Sequence, residues 1–523
     1  MGRRIRTILL GVLLAALPLA AVAGWFLLPR VELGPFVATR ASARLGRVVA
    51  IDSLRVTPGR RVSVALRGAR LDNIEGGTRR AMLQLETLAA EIELWPLLRG
   101  VVVVRQVEVH GMSLLLEHAS GGRRNWRFRD PAAPAAPSEP QRDLPVIYDL
   151  RLTGSEIVVR TSGGKALRAG MESATLTTPA PDRPVILEIG GSYNGVPLTL
   201  AGTLGSFDQL HDAAAPFPLD LRATADDTVL TLTSTASDPL NFEGVNGRLT
   251  LVAPTPDKLM AIAEADGAPA VPLNIAGTLD RRGDLWRLTG IEGTLDSAGF
   301  TGALLQLTEG KPGEPDAVAA ELDFSRLNLN RLLSSSGGDD SDMPLAVEAA
   351  PDPRIEARLT AEHLSYGRLR ASEARLNAAV GPGRINVETL AMRAFGARIS
   401  ATGRLEAVGR GTRVGAELTV LEGNLTTLRQ ALGIRDLPLS GLIEGRAVAS
   451  GEGRTLNAAT ASATVAAVVT MTGGTISREV IEMASTDIRS LFRTPRGTTP
   501  LSCLVAIVYM RGGRGELMPL RLR

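Results

Sequence analysis

Residues 187–200 read Leu187-Glu188-Ile189-Gly190-Gly191-Ser192-Tyr193-Asn194-Gly195-Val196-Pro197-Leu198-Thr199-Leu200. Large apolar residues recur at every second position on both sides of Asn194-Gly195. A period of two marks a strand with one buried face. The Asn-Gly pair supplies the two positive-φ residues that a type I′ hairpin turn requires. The stretch predicts two adjacent antiparallel strands, with Leu187, Ile189, Leu198 and Leu200 as their inward positions.

The pattern continues outward in both directions. Leu219 and Leu221 lead through Asp226-Asp227 to Leu230 and Leu232, a second hairpin candidate. Leu249 and Leu251 follow Asn246-Gly247, and Leu273 with Ile275 precedes Gly277. Upstream, Val62, Val64 and Leu66 alternate with Ser63 and Ala65, and Ile92 and Leu94 with Glu91 and Glu93. Downstream, Ile385, Val387, Ile399 and Leu405 carry the same signal. Few helical patterns interrupt it, so βαβ units are not expected. The expected fold is mainly β: a long, curved, meandering antiparallel sheet with a few short helices. Two helices are expected. One spans Leu425 to Leu432, with Leu425, Leu428, Ala431 and Leu432 on one side. The other runs from Ser477, its cap, to Arg493, with an apolar stripe of Ile481, Ala484, Ile488, Leu491 and Phe492.

The chain has 523 residues, of which 44% are hydrophobic but only 3% aromatic. Its core must therefore be built from many Leu, Val, Ile and Ala side chains. A net charge of +3, with acidic and basic residues mixed along the chain, gives no basic stripe of the kind that tracks nucleic acid. Cys503 is the only cysteine, so no intrachain disulfide forms. Two composition breaks divide the chain. Residues 131–145 are rich in Pro and Ala, and 334–353 hold a Ser/Gly run followed by Asp339, Asp340 and Asp342. The expected organisation is an anchor over 1–29 and β regions over 30–130, 146–333 and 354–523.

Thr7 to Pro29 carries no charge. Such a run is about 34 Å long as a helix, enough to cross a hydrocarbon core of about 30 Å. Its apolar body comprises Ile8, Leu9, Leu10, Leu13, Leu14, Leu17, Leu19, Val22, Trp25, Phe26, Leu27 and Leu28. Arg3, Arg4 and Arg6 on the short leading side keep that end in the cytoplasm and send the bulk across. Ala21-Val22-Ala23 fits a signal-peptidase site, but apolar residues continue past it. A retained single-pass anchor is the expectation.

Motifs for catalysis are missing. His110 and His118 are eight residues apart, about 26 Å along a strand, too far to share a metal without a turn at Gly111. The Asp339/Asp340/Asp342 cluster lacks the later Glu of a calcium loop. Gly121-Gly122 and Gly451-Glu452-Gly453 are read as turn glycines with no phosphate-loop lysine behind them. The expectation is a non-enzyme with no metal and no cofactor.

Two regions carry a resemblance. The first contains Gly46-Arg47-Val48-Val49, Leu66 to Asn73, and Leu94-Trp95-Pro96-Leu97-Leu98-Arg99-Gly100. It closes on Leu114-Leu115-Leu116-Glu117 and Arg123-Arg124-Asn125-Trp126-Arg127-Phe128. The second contains Gly441 to Ser450, Leu456 to Ala467, Gly473-Gly474-Thr475-Ile476 and Leu501-Ser502-Cys503-Leu504. In this order, behind an amino-terminal anchor, they resemble the AsmA family of inner-membrane proteins with large periplasmic parts. Family members continue with further strands beyond Arg523, so the expectation is either a shortened carboxy-terminal region or a fragment of a longer chain.

The resemblance implies a curved, groove-forming sheet in the periplasm. It implies phospholipid acyl chains as ligand, handled between inner and outer membranes in support of outer-membrane biogenesis. An outer-membrane or envelope protein partner is also implied. The candidate groove-lining residues are Leu83, Leu85, Ile92, Leu94, Leu114, Leu116, Leu187, Ile189, Leu198, Leu200, Leu219 and Leu221. The same side chains suit the core of a closed sandwich. In that case the expected role is an envelope scaffold or a factor assisting outer-membrane protein assembly.

Overall fold

Asn194 and Gly195 both adopt positive φ, 48° and 80°, and they join Val185–Tyr193 to Val196–Leu204 as the expected hairpin. Asp226, at φ 57°, begins the turn between Phe217–Ala225 and Thr228–Ala236. In the computed structural model of the protein, the described residues are 32–522 apart from 100, 118–123, 127–144, 161–164, 213, 241–242, 256, 264–270, 312, 334–341, 343, 368, 410, 433–438, 480–496 and 513. The expected anchor lies outside them, as does nearly all of the expected 477–493 helix. Its cap is described: Ser477 Oγ accepts from the Glu479 amide at 3.2 Å.

Twenty-six strands among the described residues form one sheet, in which successive strands pair with two exceptions. Val146–Ile147 and Asp149–Arg160 share one partner, Val103–Glu117. Thr498–Leu501 and Leu504–Arg511 share another, Thr464–Ser477. The sheet therefore has twenty-four rungs and extends roughly 110 Å along its hydrogen-bonding direction at ~4.8 Å per rung.

The sheet is not antiparallel throughout, as the sequence had suggested. Val103–Glu117 runs parallel to Asp149–Arg160, and Ala317–Asn328 runs parallel to Arg354–Tyr366. A parallel join needs a connection long enough to bring the chain back to its starting end. The two composition breaks fall between the partners of these two joins. The sequence rule links parallel pairing to an intervening helical pattern, and neither break carries one. The second seam is pinned at both ends. Near its start the Asp316 amide donates to Asp352 Oδ1 at 3.0 Å, and near its far end the Gly367 amide donates to Asn330 Oδ1 at 2.6 Å.

Many of the longer strands contain an irregularity near the middle. Gly68, Gly111, Gly154 and Gly290 have φ of 58°, 66°, 55° and 57°, and Glu373 and Glu422 adopt similar left-handed values. At each glycine the parity of apolar residues switches. On Arg61–Asp72 they fall at Val62, Val64 and Leu66, then at Ala69 and Leu71. On Val103–Glu117 they fall at Val107 and Val109, then at Met112 and Leu114. A residue in this conformation consumes one position of the alternation and bends the strand, so the same sheet face stays apolar across the switch. Further along, the register shifts at Ala276/Thr278, Gly302/Leu304, Val387/Leu390 and Val420/Gly423. The short strands between Val185 and Ala253 pair with one another without a shift.

The buried core has one cluster among the irregular strands and another, around Phe217, Leu219, Leu232 and Val245, in the short strands that pair without a shift. Leu288, Ile291, Phe300, Phe324, Ala361 and Ala374 form its largest cluster, with the Phe300 and Phe324 rings 5.3 Å apart. The expected helix Leu425–Leu432 is present, and Leu425 and Leu428 pack on Ile443, Met471 and Leu501.

Two glycine readings change. Asn246 and Gly247 belong to strand Asn246–Ala253 and not to a turn. Gly451 and Gly453 are strand residues over which helix Leu456–Ala461 passes so closely that a Cβ on either would collide with the helix backbone. Asp342, from the acidic break, accepts from the Asn457 amide at 2.9 Å at the start of that helix.

Gly111→Val is expected to destabilise the sheet by about 2–3 kcal/mol, because a β-branched residue resists positive φ and its Cβ would land on the Glu86 side chain. A urea-denaturation midpoint unchanged from wild type would refute the role assigned to the bend.

Candidate functional site

The candidate site is the apolar face itself. Cross-strand partners share a face, so the register can be followed from rung to rung. Leu54, Leu66, Leu88, Val109, Leu152 and Ala174 are successive partners. The row continues through Ile189, Leu200, Ala223, Leu230, Leu251 and Ile275. It then passes Gly293 to Phe300, Phe324, Ala361 and Ala374. A neighbouring row continues the face through Leu376, Leu390, Ala401, Leu418, Ala447, Ala467 and Val508. The opposite face is polar: Asp220, Thr233, Arg248 and Thr278 are successive partners. Exposed ion pairs, such as Arg413 with Glu452 and Arg393 with Glu373, complete it.

Eleven of the twelve sequence candidates lie on strands of this face. Leu83, Leu85, Ile92, Leu114, Leu116, Leu187, Ile189, Leu198, Leu200 and Leu221 are half-buried, and Leu219 is buried. Leu94 is the exception. Strand Ala81–Glu93 ends before it, and Leu94 opens the short helix Leu94–Leu98. Pro96 offers no amide to a ladder and fixes φ, so the alternation of Ile92 and Leu94 cannot continue as strand. Sequence reasoning named Leu83, Leu85 and Ile92 on one strand and Leu114 and Leu116 on the next, but missed Leu88, Val109 and Met112, which lie between them on the same face. The switch beside Gly68 and Gly111 was the signal available.

Among the described residues this face is only partly covered. Ile291, in the main cluster, is 1% exposed, yet Leu230, Ile355, Leu418 and Met510 on the same face are each more than a third exposed. Apolar area left in water costs about 25 cal/mol per Å². Such a face has chemical affinity for hydrocarbon and offers few groups for anything else.

Polar groups are arranged for structure. Glu117 is fully buried and accepts from Asn73 Nδ2 at 2.6 Å, the Thr78 amide at 2.8 Å and Thr78 Oγ1 at 2.5 Å. Asn125, also fully buried, donates to the Leu115 carbonyl and to Asn73 Oδ1, and its own Oδ1 accepts from the Glu117 amide. Glu117 is the register partner of Arg160, whose guanidinium lies 3.8 Å from it. The cluster thus pins one end of the first parallel seam.

A cleft of about 970 Å³ opens beside it, between helix Gly34–Leu45 and residues 72–80. Its Asp72 pairs with Arg70 and Arg80, and burial lowers the pKa of Arg47. On the polar face a hydrogen bond and the charge of Asp149 raise the pKa of Arg151. His110 is exposed, beside Thr153 Oγ1 at 3.0 Å and Glu86 at 3.6 Å; His118 lies outside the described residues. Among the described residues no three His, Cys, Asp or Glu side chains stand together as metal ligands, and no helix is long and apolar enough to cross a membrane.

Comparison with protein families, with curated proteins and with solved structures finds no match.

Asn125→Ala leaves the Leu115 carbonyl and the Glu117 amide without partners in a buried site, and is expected to cost about 2 kcal/mol. The urea midpoint followed through Trp126 fluorescence measures it. A loss below a few tenths would show that the cluster does not pin the seam.

Proposed function

We propose that this is an AsmA-like protein of the bacterial envelope, anchored in the inner membrane with its bulk in the periplasm. In this reading it handles phospholipid along the apolar face of its sheet, in support of outer-membrane biogenesis, without catalysis. The strands curl about their line of bends into a trough, and acyl chains lie against its floor. The observation that carries the reading is the apolar row that runs from rung to rung and stays partly exposed over the stretch Ile189, Leu200, Ala223, Leu230, Leu251 and Ile275. Each methylene moved out of water is worth about 0.8 kcal/mol, so a 16-carbon tail gains roughly 10 kcal/mol against such a surface. That nearly balances its departure from a bilayer, and a lipid can then advance by small steps without a tight site. The polar outer face keeps the trough soluble.

Photo-reactive residues at Leu187 and Leu200 are expected to form phospholipid adducts in cells, whereas one at Ile186, exposed on the opposite face, forms none. Leu200→Asp is expected to lower co-purifying phospholipid about tenfold, because a carboxylate against hydrocarbon loses its hydration. Thr199→Asp, facing the other way, leaves it unchanged. Lipid-free protein, or equal adducts from both faces, would leave only the envelope scaffold that assists outer-membrane protein assembly.

A further inference from the structure

Five large apolar side chains stand exposed within eight residues beyond strand Ala81–Glu93. Trp95 is 71%, Leu98 69% and Val101 54% exposed, and Leu97 and Val102 each exceed a third. They do not belong to the apolar row, and helix Leu94–Leu98 contributes no buried residue to the core. The backbone is largely self-satisfied: the Arg99 and Val101 amides both donate to the Pro96 carbonyl at 2.9 Å, and Pro96 has no amide to lose. A turn closed in this way can leave water without stranding its donors.

Its place in the sheet supplies the partner. The uncharged run Thr7–Pro29 ends next to Glu32 and Leu33. The Leu33 amide donates to the Leu54 carbonyl, and Glu32 lies against Ser53 and Arg55. Arg55 pairs with Ala65, and Ala65 with Ala89, two rungs across. Leu94 is five residues beyond Ala89. Two rungs and five residues place it roughly 20 Å from the point where the chain enters the sheet. Phe36, 72% exposed, stands in the first turn of helix Gly34–Leu45 beside that point. Exposed Arg60 and Arg99 flank the turn. An indole and leucines framed by arginines match a bilayer interface, where rings sit at headgroup depth and guanidinium groups reach phosphate.

We propose that Trp95, Leu97, Leu98, Val101 and Val102, with Phe36, form a wedge seated in the lipid surface of the membrane that holds the amino terminus. The proposal rests on reading Thr7–Pro29 as an anchor, and not on lipid carriage along the sheet. It fixes the first rungs against the bilayer and gives the sheet a defined entrance end.

The test uses full-length protein carrying Cys503→Ser, with Leu98→Cys labelled by an environment-sensitive fluorophore. The protein is reconstituted into vesicles of phosphatidylethanolamine and phosphatidylglycerol. Lipids brominated near the headgroup are expected to quench this label at least about threefold more than one at Val448→Cys, an exposed position far along the polar face. Equal quenching in protein that floats with the vesicles overturns the wedge, leaves the anchor standing, and assigns the patch to a protein partner. Protein that fails to float overturns both. Lipid adducts at Leu200 are read separately and do not depend on either result.

Discussion

A strand's side chains alternate with a period of two, so slipping the ladder by one residue turns an apolar face into a polar one. Every rung of this sheet has to meet that condition against two neighbours. The hairpin turns meet it locally: Asn194-Gly195 and Asp226-Asp227 leave only one register for the strands they join. The mid-strand bends meet it by a different route. They let long strands curve and still present Leu, Val and Ala to the same side, because the ladder and the parity change together. From that constraint follow the continuous row and the polar reverse face.

Much of this was legible in the residues. Alternation at Val62–Leu66 and Leu187–Leu200 identified the strands and their inward positions. The spacing in Leu425–Leu432 identified a helix to its bounds, and Asn194-Gly195 gave a turn with its mechanism. What was not legible depends on tertiary pairing. Nothing local distinguishes Asn246-Gly247, inside a strand, from Asn194-Gly195, at a turn; the difference is that Gly247 lies hard against the backbone of Ser234. Leu94 looked like the next inward residue after Ile92, yet Pro96 ends the ladder before it. Parallel pairing across a proline-rich break is invisible to a rule that looks for helices between strands.

The low aromatic content acquires a physical reason in this architecture. A layer that is not covered gains little from large rings. Phe300 and Phe324 sit together in the main buried cluster, and Leu, Ile, Val and Ala line most of the remainder. Trp95 and Phe36 are aromatic for a different reason, since they stand outside the core altogether. Exposed ion pairs such as Arg413 with Glu452 and Arg393 with Glu373 belong to the solvated reverse face.

The two parallel seams divide the protein into three stretches of hairpins. Within a stretch almost every contact joins residues that are close in sequence, so each can zip up quickly and alone. The seams must wait for their long loops to close, and no tight turn dictates how their strands align. The polar contacts at Glu117–Asn125 and at Asp316–Asp352 stand where that choice has to be made. A chain synthesised amino end first can complete its blocks one after another and stitch them together last. Under load, the same two stitches are where it would part.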